Sequence, residues 1–178
     1  MKKQIPNIIS LFRILLSFCL LFATDSRWGF LALVGLIGIS DVADGFIARK
    51  FGWESKMGAR LDSVGDLVFF WVVMVVVFLN YRWIITENLV LLAIIVLIRV
   101  SSIVVSKIKF GEIAFIHTLG NKITGLLLFL FIMFLPFVEE LFWVKGVLVI
   151  GILSASEELG IILRNKEINP NQKSIFKK

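Results

Sequence analysis

Cysteine and histidine occur once each and proline three times in these 178 residues, and only 18% of the residues are charged. A single thiol, Cys19 within an apolar stretch, excludes an internal disulfide and a cysteine-built metal site. No repeat, low-complexity tract or long linker interrupts the chain, so nothing marks a separate soluble domain, and residues 1–178 read as one domain. The start, "MKKQIPNIISLFRILLSFCLLFA", has two lysines ahead of an apolar run, as a signal peptide does. Arg13 interrupts that run and no small-x-small cleavage site follows it, so the first helix is expected to be retained.

What is present is apolar surface, with 58% hydrophobic residues. That is the composition of an integral membrane protein. A bilayer core of ~30 Å needs about 20 apolar residues per spanning helix. Six such stretches lie at roughly 8–24, 28–48, 59–80, 86–106, 122–137 and 142–164, with Pro136 marking the exit from the fifth. The expected fold is all-α, an integral membrane bundle of six transmembrane helices, with a short amphipathic lead around residues 2–8.

The formal charge of +6 invites a nucleic-acid reading, which its placement opposes. Lys2, Lys3 and Arg13 flank the start of the first helix, and Arg49, Lys50, Lys56 and Arg60 lie between the second and third. Lys107, Lys109 and Lys122 lie between the fourth and fifth, and Arg164, Lys166, Lys173, Lys177 and Lys178 follow the sixth. The alternate loops carry only Arg27, Arg82 and Lys145. This asymmetry follows the positive-inside rule and predicts a multi-pass cell-membrane protein with both termini cytoplasmic. The basic loops suit anionic lipid headgroups. Trp28, Trp53, Trp83 and Trp143, near predicted helix ends, fit an interfacial aromatic belt.

Against this background one stretch is anomalous: "DVADGFIARKFGWESKMGARLDSVGD", Asp41 to Asp66. Asp41 and Asp44 are spaced i,i+3 and Asp62 and Asp66 i,i+4, so each pair shares a helix face. Gly45, Ala48, Gly58 and Gly65 extend those faces with almost no side chain, leaving a carboxylate-lined cleft near the cytoplasmic end of two antiparallel helices. Intramembrane carboxylates are costly unless paired or solvated. Clustered hard oxygen ligands suit Mg²⁺, Mn²⁺ or Ca²⁺. A pair of such ions would stabilise phosphoryl transfer. The plainer alternative pairs the aspartates with Arg49, Arg60 or Lys56 as a helix staple, which four carboxylates outnumber.

The stretch fits D-x-x-D-G-x-x-A-R-x(8)-G-x-x-x-D-x-x-x-D at every fixed position: Asp41, Asp44, Gly45, Ala48, Arg49, Gly58, Asp62 and Asp66. This resembles the signature of the CDP-alcohol phosphatidyltransferases, and the six-helix pattern resembles that family along essentially the whole chain. The resemblance implies transfer of a phosphatidyl group from a CDP-linked lipid to an alcohol hydroxyl, with release of CMP. It implies two divalent ions, Mg²⁺ or Mn²⁺, one held by Asp41, Asp44 and Asp62 and the other by Asp41, Asp62 and Asp66. Asp66 is similar to the family's general base. Gly45, Arg49, Ser55 and Gly58 match CDP-lipid positions. "IPNIIS" resembles the remaining nucleotide-side element through Asn7, whose alternative role is to cap the first helix. Asn7, Ser10 and Arg13 share one face, and Arg13 reads equally well as a snorkelling anchor. A homodimer is implied by the resemblance alone.

For the acceptor, Arg99, Lys107, Lys109 and Lys122 favour a phosphate-bearing alcohol. Arg99 is otherwise expected to pair with Glu157 or Glu158 at similar depth. "IPNIISLFRI" resembles the start of phosphatidylglycerophosphate synthases, pointing to glycerol 3-phosphate, although in "IRVSSIVVSK", which resembles their Arg-Glu segment, Val100 stands where the Glu would be. Inositol phosphate and phosphatidylglycerol are the next acceptors. His117 and Asn121, spaced i,i+4, read as acceptor-pocket or structural polar groups. The rival classes are an intramembrane prenyltransferase, which would release pyrophosphate rather than CMP, and a cation transporter. A transporter's acidic path would have to continue outward, but Asp25, Glu87, Glu139 and Glu140 are loop residues.

Overall fold

The computed structural model of the chain describes residues 4–112 and 118–165. Its helices are α1 (Ile5–Cys19, continued by a 3₁₀ turn at Leu20–Phe22), α2 (Arg27–Phe51) and α3 (Lys56–Asn80). The short α4 (Arg82–Thr86) is followed by α5 (Leu89–Phe110), α6 (Leu119–Met133) and α7 (Leu141–Arg164). No strand occurs among the described residues. Five segments, Ile5–Phe22, α2, α3, α5 and α7, are long and apolar enough to cross a membrane. The sixth, α6, is apolar but only 15 residues long. At about 1.5 Å per residue, the 25-residue helices α2 and α3 outrun a ~30 Å hydrocarbon core. The protein is an all-α integral membrane protein.

Local chemistry moves several boundaries from the hydropathy estimate. Residues 5–8 belong to α1 itself, which begins at Ile5 with Pro6 in its first turn, so among the described residues there is no separate amphipathic lead. Ser55 caps α3 by accepting the Gly58 N–H at 2.9 Å, which starts the helix at Lys56 rather than near 59. Gly52 ends α2 in the left-handed conformation, φ +63°, and the Trp53 N–H reaches the Ala48 carbonyl at 2.9 Å. The α2–α3 connection is therefore only Gly52–Ser55. α6 stops at Met133, ahead of the 3₁₀ turn Leu135–Phe137 that holds Pro136. Pro136 has no N–H to donate to the preceding turn, so the α-helix closes earlier than 137.

Contacts divide the chain into two compact units: the residues up to Arg82 with Ile132–Phe137, and Trp83–Phe131 with the residues from Val138. In the first, α1 packs on both α2 and α3. Phe30, Val34 and Ile37 of α2 and Val72, Val73 and Val76 of α3 are buried there. Along α1 the usual polarity is reversed. Ser10, Arg13 and Ser17 are buried, while Ile8, Leu11, Phe12 and Leu15 are exposed. That is the arrangement of a helix whose outer face meets lipid. In the second unit α5 packs on α7, and Lys109 Nζ donates to the Ile162 and Leu163 carbonyls at 3.0 and 2.6 Å, closing the end of α7.

Candidate active site

The two signature helices bring their carboxylates to one place. Asp41, Asp62 and Asp66 each offer an oxygen lying within 4.8 Å of the others, a spacing at which three carboxylates can share a cation. Asp44 stands beside them but is buried, and its Oδ2 accepts the Ser10 hydroxyl at 2.6 Å. The other three side chains are 48%, 49% and 67% exposed in chain order, so the trio is open on one side.

The residue that sequence reasoning left out of the site is Arg13. Its guanidinium lies among all four carboxylates: Nη1 donates to Asp41 and faces Asp66 at 3.4 Å, and Nη2 donates to Asp62 at 2.7 Å and lies 3.8 Å from Asp44. At 1% exposure Arg13 does not snorkel, which corrects that reading. The helix-staple alternative also named the wrong cations, since the pairing group comes from α1 and not from Arg49, Arg60 or Lys56. The approach depends on Gly65, where a Cβ would stand 2.9 Å from Arg13 Nε and Nη2. A usable signal was present: an arginine in phase with Ser10 on an otherwise apolar helix must find anions on its neighbours.

Beside the trio is a cleft of about 200 Å³. Asn7, Gly45, Arg49, Ser55 and Gly58 all lie on its wall, together with Asp44 and Asp62. Asn7 does not cap α1, whose N-cap is Gln4. Its Oδ1 instead comes within 3.0 Å of where a Gly58 Cβ would be, so glycine there lets α1 and α3 approach. Arg49 folds back along α2 over Gly45, with Nη1 at 3.2 Å from the equivalent point. Among the described residues no carboxylate pairs with Arg49, which leaves its planar fork available to a phosphate.

The second unit holds its own polar cluster. Arg99 Nη1 pairs with Glu158, its Nη2 donates to Asn121 Oδ1 at 3.0 Å, and Asn121 Nδ2 donates to Glu158 at 2.9 Å. Ser154 adds a donor to Asn121 at 2.7 Å. Arg99 thus meets Glu158, one of its two anticipated partners, and keeps a 40% exposed side chain. Lys107 donates to the Gly111 carbonyl at 2.9 Å and Lys109 closes α7, so both ammonium groups serve helix ends; Lys122 is exposed. His117 lies outside the described residues.

Comparison with known proteins is consistent with this geometry. Residues 3–155 match the sequence profile described as CDP-alcohol phosphatidyltransferase. A protein of Aquifex aeolicus (strain VF5) named CDP-diacylglycerol--glycerol-3-phosphate 3-phosphatidyltransferase is 37% identical over 68 residues, 37% of this chain and 38% of that protein. One of the same name from Escherichia coli (strain K12) is 33% identical over 87 residues, 46% of this chain and 48% of that protein. The chain thus matches less than half the length of either relative. No solved structure matches it. A profile covering most of the chain, with six residues of the signature lining one cleft and the other two, Asp41 and Asp66, clustered with Asp62 of its wall, places the protein in the CDP-alcohol phosphatidyltransferase family.

Proposed function

We propose that the protein transfers the phosphatidyl group of a CDP-linked lipid to the hydroxyl of glycerol 3-phosphate, releasing CMP and forming a phosphodiester. The observation that carries this reading is the meeting of Asp41, Asp62 and Asp66 beside a cleft walled by Asn7, Gly45, Arg49, Ser55 and Gly58. Family membership supports the reaction class, and the printed names of the two relatives support the acceptor. Inositol phosphate and phosphatidylglycerol are the alternative acceptors, and the donor is CDP-diacylglycerol or its diether equivalent.

The donor set fits divalent ions. Four carboxylates against the single guanidinium of Arg13 leave three negative charges, and oxygen ligands at this density suit Mg²⁺ or Mn²⁺. Asp41, Asp44, Asp62 and Asp66 would hold them. When bound, two such ions supply charge neutralisation at the transferred phosphate and the departing CMP.

The chain's own residues perform the remaining tasks. Arg49 and Asn7 hold the CDP moiety against the bare backbone at Gly45 and Gly58, with Ser55 fixing the start of α3. Asp66 takes the proton of the attacking hydroxyl. Within the trio it is the most exposed and stands farther from Arg13 than Asp62 does, so its lone pairs are the most available. The hydroxyl oxygen bonds to the lipid-bearing phosphorus as the bond from that phosphorus to the CMP oxygen breaks. Arg99 is the preferred contact for the acceptor phosphate, ahead of Lys107, Lys109 and Lys122, because its fork retains exposed donors.

We place the enzyme in the cell membrane as one domain of residues 1–178, with termini and site on the cytoplasmic side and two copies pairing as a homodimer. The test is CMP release by purified protein given Mg²⁺, CDP-diacylglycerol and one alcohol at a time. Release with glycerol 3-phosphate, abolished by chelator, is expected. Release only with a non-phosphorylated alcohol refutes the acceptor, and no CMP with any alcohol refutes the reaction.

A further inference from the structure

The guanidinium of Arg13 occupies the space among the same three carboxylates whose oxygens are close enough to share a cation. Its Nη groups meet one Oδ1 each of Asp41, Asp62 and Asp66, and Nη2 also reaches the Asp62 backbone carbonyl at 3.3 Å. The side chain is 1% exposed, and its Nε is buried without a hydrogen-bond partner. Among the described residues, everything the fork donates therefore goes to α2 and α3 at the carboxylate cluster. Gly65 supplies the clearance that this position requires.

A fixed positive charge at that point has two consequences. It draws together carboxylates that would otherwise repel one another, and it opposes any second cation brought to them. The first stabilises the three-helix unit, and the second weakens its affinity for divalent ions. Metals and guanidinium thus compete for one set of oxygens.

We propose that Arg13 is a built-in competitor for the divalent ions of this site, a positioning residue that keeps Asp41, Asp62 and Asp66 in ligating register while holding metal affinity down. The inference rests on the divalent-ion reading given under Proposed function. It assigns Arg13 a function separate from contact with either substrate.

The experiment measures Mn²⁺ binding to purified full-length protein by the loss of the free-ion paramagnetic resonance signal, and melting temperature in chelator and in Mn²⁺. Arg13→Met is expected to bind Mn²⁺ roughly tenfold more tightly than wild type, because one repelling charge is gone. It should melt at a lower temperature than wild type in chelator and gain more on adding Mn²⁺. Arg13→Lys, which retains the charge, should stay within about threefold of wild-type affinity. Equal or weaker Mn²⁺ binding by Arg13→Met overturns the proposal. Should Arg13→Met fail to fold, Gly65→Ala decides, since its Cβ displaces the guanidinium while every charge remains. It should bind Mn²⁺ about threefold more tightly, and unchanged or weaker binding overturns the proposal equally. Wild type and Asp41→Asn separate the two readings. If neither binds Mn²⁺, the divalent-ion reading fails and this inference with it. If wild type binds, Asp41→Asn does not and Arg13→Met matches wild type, only the role of Arg13 fails.

Discussion

Four aspartates of one signature occupy different environments. Asp44 is buried against Ser10, Asp41 and Asp62 are half exposed and held by Arg13, and Asp66 is the most open. Substitutions at these positions should therefore separate. Asp66→Asn removes the base but leaves the cleft wall intact, so turnover should fall roughly 10²- to 10⁴-fold, with CDP-lipid binding little changed. Asp41→Asn, which removes a carboxylate central to both expected ion sites, should lose binding and turnover together. Single-turnover CMP release alongside equilibrium binding of the CDP-lipid distinguishes the two. Near wild-type turnover by Asp66→Asn would remove it from the role of base. The glycines of this region are individual in the same way: Gly58 admits Asn7, Gly65 admits Arg13 and Gly45 lies under Arg49.

Among the helices, the pairing of α5 with α7 poses the clearest question. Arg99, Asn121, Glu158 and Ser154 are joined by hydrogen bonds within apolar helices, where an unpaired polar group is costly. If Arg99 also receives the acceptor phosphate, Arg99→Ala should raise KM for glycerol 3-phosphate far more than KM for the CDP-lipid. Equal effects on both would leave it as a helix tie to Glu158. The helices themselves were legible as apolar runs, because hydropathy reports directly on the solvent each segment tolerates. Their ends were less so. The Ser55 cap, the left-handed Gly52 and the early stop before Pro136 are single-residue effects that a window of about 20 residues averages away. The partner of Arg99 was readable to within two neighbouring glutamates, because depth along a helix follows from counting residues.

At the scale of the whole chain, the signature was readable in full and the counter-charge was not. Spacing alone places Asp41 with Asp44 and Asp62 with Asp66, since both pairs are local to one helix. The destination of Arg13 depends on how α1 lies across α2 and α3 and on the gap at Gly65, which no local period encodes. Topology is the remaining global expectation. With Cys19→Ala as background, a cysteine replacing Trp53 should react with membrane-impermeant reagents only after cells are opened. Labelling from outside intact cells would reverse the assignment of the short α2–α3 connection to the cytoplasm.

Arg13 is the ninth of the 18 residues from Ile5 to Phe22, the middle of the first span. On its own at mid-membrane an arginine costs about 2.5–3.5 kcal/mol to insert. Every carboxylate that neutralises it belongs to α2 or α3, which leave the ribosome later. The order in which this chain is made thus differs from the order in which its helices become comfortable in lipid. α1 must wait at the interface or carry a solvated charge until the α2–α3 hairpin arrives, so biogenesis couples the entry of the first helix to that of the next two.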